Sequence, residues 1–153
     1  MSNVEKIYMS WDKFDDDINE FIEYLKTYEF DNDSVIIALK RGGFPTATTL
    51  SNKMNIPVSV VAFQTRDGED VIPQFLEPEL LKTAKRIIIP DDIYDTGLTV
   101  ETLVKELEIQ FGKNLINIAG VFHYASEKIV DSRLKFYRTL DSNKGKWVVF
   151  PWE

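Results

Sequence analysis

The chain contains no cysteine and a single histidine, His123. The lack of cysteine excludes disulfides, thiolate catalysis and cysteine-based zinc sites, and one histidine cannot build a histidine-rich metal centre. No apolar run approaches the length that spans a bilayer, and residues 1–6 lack the apolar core of a signal peptide. We therefore expect a cytoplasmic protein that does not bind membranes.

Positive charge is scarce as well, since 18 Lys and Arg residues stand against 25 Asp and Glu residues, giving a net charge of −7. Nonspecific binding to nucleic acid or to an anionic membrane needs a basic surface, so we expect neither partner. A small anionic substrate is still compatible with this charge, because a few local cations can dominate one pocket. The 153 residues, 44% of them hydrophobic, can bury a real core and fit a single domain over 1–153.

Apolar runs alternate with helical stripes along the chain. Ser10 is a candidate N-cap for a first helix, and the acidic run 15–17 is expected on the solvent-exposed face of that helix. The predicted helices are 11–28, 44–54, 79–85 and 99–111, and the predicted strands are 34–39, 58–63, 86–90, 115–122, 134–140 and 147–150. The polar stretch 64–78 is predicted to be a long loop. This order predicts a doubly wound α/β fold, with a mostly parallel sheet flanked by helices and ligands at the carboxyl edge of its strands.

The most informative segment is 90–99, Pro-Asp-Asp-Ile-Tyr-Asp-Thr-Gly-Leu-Thr, directly after the apolar run 87–89. It places carboxylates at the predicted end of a buried strand, followed by a small-residue turn that opens a helix. Backbone amides, hydroxyls and a helix N-terminus can bind a phosphate there. The carboxylates can accept hydrogen bonds from sugar hydroxyls or hold Mg²⁺. The segment therefore predicts a ribose-phosphate site; the alternatives are an acidic surface turn and the acidic pocket of a phosphoacceptor receiver domain.

A second candidate segment, Lys40-Arg41-Gly42-Gly43, follows the first predicted buried strand. Its two glycines would let backbone amides approach an anion closely, beside two cations. Taken alone, the segment would be interpreted more simply as a solvated basic turn. In the predicted fold, however, both segments fall on the same edge of the sheet.

The two segments resemble the phosphoribosyl pyrophosphate (PRPP) signature and the pyrophosphate loop of type I phosphoribosyltransferases. The resemblance implies that Asp91 and Asp92 bind the ribose hydroxyls, that one of them reaches Mg²⁺ directly or through water, and that 95–99 wraps the 5′-phosphate. The implied PRPP ligands are Lys40, Arg41, Gly42, Gly43, Asp91, Asp92, Asp95, Thr96, Gly97, Leu98 and Thr99. Asp95 is also the implied catalytic residue, which accepts a proton from the imidazole ring of a purine or at least orients that ring nitrogen. Pro90 and Tyr94 are atypical, since aliphatic residues are usual at both positions.

The C-terminal run 147–153 resembles the base-binding segment of the xanthine-guanine branch of that family. This resemblance implies a 6-oxopurine as the second substrate and a homo-oligomer, either a dimer or a tetramer. The implied base-binding residues are Tyr124, Trp147 and Val148, with Trp147 stacking on the base. Tyr124 stands where such enzymes carry a lysine, and Val149 where they carry an acid. Two alternatives therefore stay open: a transferase for another base, and a noncatalytic PRPP-binding protein.

Four further residues have competing interpretations. His123 has no triad partner nearby in the sequence and is expected to be structural rather than a general base. Trp152 is either a core aromatic or part of the base site. Arg66, within the predicted loop 64–78, is a candidate cation for a lid over the pyrophosphate. Lys128 is a candidate substitute for the missing base-site lysine.

Overall fold

A six-stranded sheet with helices on both faces forms the body of the protein. The structure is a computed structural model that describes residues 5–39, 42–65, 71–94, 97–125, 131–141 and 146–153. Its strands are β1 (Glu5–Tyr8), β2 (Ser34–Leu39), β3 (Val58–Thr65), β4 (Val71–Phe75), β5 (Arg86–Tyr94), β6 (Ile118–Ala125), β7 (Lys135–Asp141) and β8 (Lys146–Val149). Its helices are α1 (Trp11–Thr27), α2 (Phe44–Met54), α3 (Pro78–Thr83) and α4 (Leu98–Phe111), with a short 3-10 turn at Leu115–Asn117. Within these ranges, no helix is long and apolar enough to cross a membrane.

The strand order in the main sheet is β4-β3-β2-β5-β6-β7, with β4 antiparallel to β3 and the other pairs parallel. The predicted doubly wound, mostly parallel α/β fold is confirmed. Strands β1 and β8 form a separate two-stranded parallel sheet. Strand β1 was not predicted, because it has four residues and its pairing partner lies at the other end of the chain. Since β2 and β5 are parallel neighbours, their carboxyl ends meet at one edge of the sheet.

Local sequence explains where the helices begin and end. The side chain of Ser10 caps α1 as predicted, because its Oγ accepts a hydrogen bond from the Lys13 amide at 3.0 Å. Helix α2 carries Pro45 in its first turn, where a missing N–H is tolerated. Helix α4 is bounded by Gly97 and Gly112, whose φ angles of +83° and +62° lie in the left-handed region that favours glycine.

The main sheet is buried on both faces. Ile87 and Ile89 of β5 pack into the core shared with α3 and α4, whereas Ile88 between them packs into the core shared with α1 and α2. All three isoleucines are at most 1% exposed. Burial of both faces explains why the central strands appear as continuous apolar runs in the sequence.

The predicted loop 64–78 is wrong in part, since strand β4 occupies the middle of it. The polar composition of the whole stretch 64–78, together with Pro73, argued against a strand there. Strand β4 lies at the edge of the sheet, however, where a residue without an N–H is tolerated. The candidate Arg66 lies outside the described residues.

The prediction that the acidic run 15–17 faces solvent is wrong for Asp17. Its side chain is fully buried, with Oδ2 2.8 Å from His123 Nδ1 and Oδ1 2.7 Å from Lys13 Nζ. The other ring nitrogen, His123 Nε2, lies 2.8 Å from Thr46 Oγ1. An ionised carboxylate can only accept, so Nδ1 carries a proton, and a neutral ring then accepts at Nε2 from the Thr46 hydroxyl. His123 thus joins β6 to α1 and α2, in agreement with its predicted structural role.

The buried network around Asp17 should make stability sensitive to acid. Burial alone would raise the pKa of Asp17, but its interactions with His123 and Lys13 outweigh burial and lower that pKa below 3.8. The stabilisation is therefore present above the unfolded-state pKa and is lost as the pH falls through the lower folded-state pKa. We expect Asp17→Asn to reduce the free energy of unfolding by about 3 kcal/mol at neutral pH, and by less at about pH 3.

Urea titrations at the two pH values measure this difference. Asp16→Asn is the matched control, because Asp16 is exposed on the same helix. An equal loss of stability in the two variants, or a loss for Asp17→Asn that does not change with pH, would contradict the assignment.

Candidate active site

The described residues of the two predicted segments meet at the carboxyl edge of the sheet. Gly42 and Gly43 follow β2, and Asp92 lies near the end of the neighbouring β5. A Cβ atom added at Gly42 would lie 2.8 Å from Asp92 Oδ2, and one added at Gly43 would lie 3.2 Å from the carbonyl oxygen of Pro90. Glycine at both positions therefore allows the backbone to lie directly against the acidic segment.

Strand β5 continues past its predicted end at Pro90 and stops at Tyr94. Its pairing with β2 runs through Ile88, whereas its pairing with β6 continues to Tyr94. Strand β6 thus supports the last part of β5, where proline and two acids suggested a loop. Asp91 and Asp92 are consequently held as strand residues, which fixes their backbone more firmly than a loop would.

Backbone hydrogen bonds orient both carboxylates. Asp91 Oδ1 accepts from the Asp92 amide at 2.8 Å, and Asp92 Oδ1 accepts from the Ile93 amide at 2.7 Å. Burial raises the pKa of Asp91 well above its usual value, and the neighbouring Asp92 raises that pKa further by charge repulsion. A divalent cation or sugar hydroxyls beside Asp91 would offset both effects by favouring the ionised form.

The donor set is small for a metal site. Among the described residues, no group of three or more histidine, aspartate or glutamate side chains could hold a metal ion. The adjacent carboxylates of Asp91 and Asp92 nevertheless fit Mg²⁺, because this ion usually binds one or two carboxylates and takes water and substrate phosphate oxygens as its other ligands.

The start of α4 forms the other end of the site. Gly97 precedes the helix, and no described side chain caps the helix there. A cavity of about 130 Å³ adjoins it, lined by Asp91, Ile93, Tyr94 and residues 97–100. A helix N-terminus favours an anion, because its first N–H groups have no partner inside the helix and its dipole is positive at that end. Asp91, predicted for the ribose, and residues 97–99, predicted for the phosphate, thus share one cavity.

The residues predicted to bind a base lie in different surroundings. Trp147 of β8 is 50% exposed, so part of its side chain is accessible to a ligand. Tyr124 of β6 is half-buried and pairs with Ile93, the residue after Asp92. Val148 is 1% exposed and packs in the core against α1. Its side chain therefore cannot contact a base, and only the backbone of Val148 could have the predicted role.

Trp152 belongs to an aromatic cluster. Its ring stacks on Phe150 at 5.0 Å and lies 5.3 Å from Phe14 and 6.3 Å from Trp11. This packing favours the core interpretation of Trp152. By contrast, several other predicted site residues lie outside the described residues, namely Lys40, Arg41, Asp95, Thr96 and Lys128.

The structure adds Tyr94 to the site. Its side chain is 1% exposed, and its hydroxyl lies against Gly97 at the start of α4. Sequence reasoning noted Tyr94 only as an unusual residue between the acids and the phosphate turn. The signal that could have identified Tyr94 is its hydroxyl group, at a position where aliphatic residues are usual.

Comparison with known proteins agrees with this geometry. The family model described as "Phosphoribosyl transferase domain" matches residues 7–153. A hypoxanthine/guanine phosphoribosyltransferase from Methanosarcina mazei is 30% identical over 121 residues, which are 68% of this chain and 59% of that protein. An orotate phosphoribosyltransferase from Staphylococcus epidermidis is 26% identical over 128 residues, which are 80% of this chain and 60% of that protein. The chain thus spans less than two thirds of the length of these curated relatives.

A solved structure extends the similarity over nearly the whole chain. The purine phosphoribosyltransferase from Pyrococcus horikoshii matches with a TM-score of 0.71 and 29% identity, covering 97% of this chain and 94% of that one. The family model, the parallel sheet and the meeting of the two segments at one sheet edge all agree. The chain belongs to the phosphoribosyl transferase domain family.

Proposed function

We propose that this protein is a Mg²⁺-dependent purine phosphoribosyltransferase, which converts PRPP and a 6-oxopurine into a nucleoside 5′-monophosphate and pyrophosphate. The observation that carries the proposal is the meeting of three elements at one sheet edge: the glycines 42–43, the acids 91–92 and the start of α4. PRPP presents a pyrophosphate, a pentose and a terminal phosphate, and these elements offer groups suited to each part. The relatives from Methanosarcina mazei and Pyrococcus horikoshii are named as purine enzymes.

The reaction exchanges one bond at the anomeric carbon of the ribose. A bond to a purine nitrogen forms as the bond to the pyrophosphate oxygen breaks, and positive charge develops on the ribose in between. The start of α4 would anchor the 5′-phosphate while Asp91 and Asp92 accept hydrogen bonds from the ribose hydroxyls. Two anchored ends fix the anomeric carbon between the base and the leaving group, which is the main source of rate enhancement in this scheme.

Charge at the leaving group is the second requirement. Lys40 and Arg41 would neutralise the departing pyrophosphate, together with the backbone amides of 42–43. Mg²⁺ held by Asp91 and Asp92 would supply further neutralisation when bound. Asp95 would accept the proton from the imidazole ring of the purine, so no protein nucleophile is needed.

Trp147 and Tyr124 would recognise the base. The exposed ring of Trp147 offers a stacking surface, and the Tyr124 hydroxyl offers a neutral donor for the 6-oxo group. A neutral hydrogen bond contributes about 1 kcal/mol, against roughly 1.5–3 kcal/mol for a bond to a charged group. We therefore expect a weaker preference for 6-oxopurines than a lysine at this position would give.

Replacing Trp147 with alanine should raise the KM for the base about tenfold and leave the KM for PRPP nearly unchanged, because stacking on an aromatic contributes about 1–3 kcal/mol per base. Steady-state kinetics with each substrate varied in turn measures both constants. Tyr28→Ala is the control, since Tyr28 is an aromatic residue of similar exposure, 44%, at the C-terminal end of α1. Trp147 instead pairs with β1, which precedes that helix. Equal KM values for the base in the two variants would remove Trp147 from the base site.

Pyrophosphate release with guanine, xanthine, hypoxanthine, adenine, uracil and orotate tests the proposed function as a whole. Release with the three 6-oxopurines is the expected result. Release with orotate or uracil alone would instead support a pyrimidine enzyme, the alternative favoured by Tyr124 and by the orotate phosphoribosyltransferase relative. PRPP binding in calorimetry without release from any base would support a noncatalytic PRPP-binding protein.

The proposed function also sets our expectations for the location of the protein, its macromolecular partners and its oligomeric state. We expect the protein to act in the cytoplasm on small molecules alone, with no nucleic acid or membrane partner. A homo-oligomer, either a dimer or a tetramer, is proposed from the family resemblance. Sedimentation equilibrium of the full chain measures the number of subunits.

A further inference from the structure

The hydroxyl of Tyr94 is an unexplained polar group in the interior. The side chain is 1% exposed, and among the described residues its Oη has no hydrogen-bond partner. The ring itself is well packed, with Phe122 and Phe136 at centroid distances of 5.2 Å and 5.1 Å. Phenylalanine would make the same ring contacts without burying an unpaired hydroxyl, so packing alone does not account for tyrosine here.

The position of this hydroxyl points to a ligand. It lies so close to Gly97 that a Cβ added there would overlap it. Tyr94 and Gly97 also line the cavity at the start of α4, a helix of 14 residues. A helix N-terminus and an unpartnered buried donor therefore adjoin the same small cavity.

The chemistry of the hydroxyl suits an anion. The phenol of a tyrosine is protonated at neutral pH, so the Tyr94 hydroxyl is available as a donor. A neutral donor adds a hydrogen bond to a phosphate without adding a charge that would have to be desolvated.

We propose that Tyr94 donates a hydrogen bond to the 5′-phosphate of the bound phosphoribosyl ligand. This inference rests on the proposed function and adds a phosphate ligand at a position that the family pattern fills with an aliphatic residue. Tyr94 then has two effects. It stabilises the bound state, and its unpaired hydroxyl destabilises the unliganded protein.

The test is Tyr94→Phe in the full chain, which removes one oxygen atom and keeps the ring. We expect its dissociation constants for PRPP with Mg²⁺ and for ribose 5-phosphate to rise about tenfold in calorimetry. We also expect the melting temperature of the unliganded variant to equal or exceed that of the wild type, so that the shift produced by the ligand becomes smaller. Tyr24→Phe is the control, because the Tyr24 hydroxyl donates to the Phe136 carbonyl oxygen at 3.3 Å on the other face of the sheet.

The possible outcomes separate this inference from the proposed function. If the wild type binds PRPP and Tyr94→Phe binds it with equal affinity, the role of Tyr94 is overturned and the proposed function stands. If Tyr94→Phe melts at a lower temperature and binds with unchanged affinity, the hydroxyl is structural and the inference is again overturned. If the wild type binds neither PRPP nor ribose 5-phosphate, both proposals are overturned together.

Discussion

Replacing Gly97 with alanine is expected to abolish PRPP binding and to lower the free energy of unfolding by about 3 kcal/mol. The φ angle of +83° already disfavours any residue with a side chain. The new Cβ would also overlap the Tyr94 hydroxyl and lie 2.7 Å from Cζ of the same ring. Tyr94 cannot move away easily, because Phe122 and Phe136 pack against its ring. The start of α4 would therefore have to shift, and the phosphate amides would shift with it.

Gly112→Ala is the matched control for this prediction. Gly112 follows the same helix at a φ angle of +62°, but a Cβ added there meets no atom within 4 Å. Backbone strain alone then lowers stability by about 1 kcal/mol, and PRPP binding is unchanged. Urea unfolding and calorimetry measure the two effects in both variants. Normal PRPP affinity in Gly97→Ala would show that the start of α4 is not the phosphate site.

The overall fold could be predicted because its signals are local. Continuous apolar runs such as 34–39 are typical of strands buried on both faces, and the structure buries β2 along its whole length. The Ser10 cap and the glycine that follows 99–111 mark helix ends through neighbouring residues only. Once the strands are parallel neighbours, the sheet itself brings 42–43 and 91–92 to one edge.

The errors arise where a distant part of the chain decides the local structure. Strand β5 runs past Pro90 because β6 pairs with it as far as Tyr94. The residues around Pro90 do not indicate that pairing. Strand β4 is stabilised by pairing with β3, in spite of Pro73 and of the polar residues that flank the strand within 64–78. In each case tertiary pairing overrides the local preference.

Asp17 illustrates the same limit for a single side chain. Its position in an acidic run indicated a solvent-exposed face of the helix. Asp17 is buried instead, because it pairs with His123, which lies more than a hundred positions away along the chain. The pairing of His123 with Asp17 and Thr46 could not be deduced, since each residue type is common on surfaces.

Replacing Asp95 with asparagine is expected to leave PRPP binding intact and to lower kcat at least about 100-fold. Asparagine has nearly the same shape but cannot accept the proton from the purine ring, and positioned proton transfer contributes roughly 10²–10⁴-fold to a rate. Stopped assays of pyrophosphate release, combined with calorimetry of PRPP binding, separate kcat from affinity.

Asp92→Asn provides the contrast, because it makes the same chemical change three positions earlier in the chain. Asp92 lies against the backbone of Gly42, where a carboxylate would bind the pentose and Mg²⁺ rather than the base. We therefore expect this variant to weaken PRPP binding, whereas Asp95→Asn weakens turnover. Full turnover by Asp95→Asn would remove Asp95 from the catalytic role. The carboxylates would then act in binding alone, and the rate would have to come from fixing the two ends of PRPP against the base.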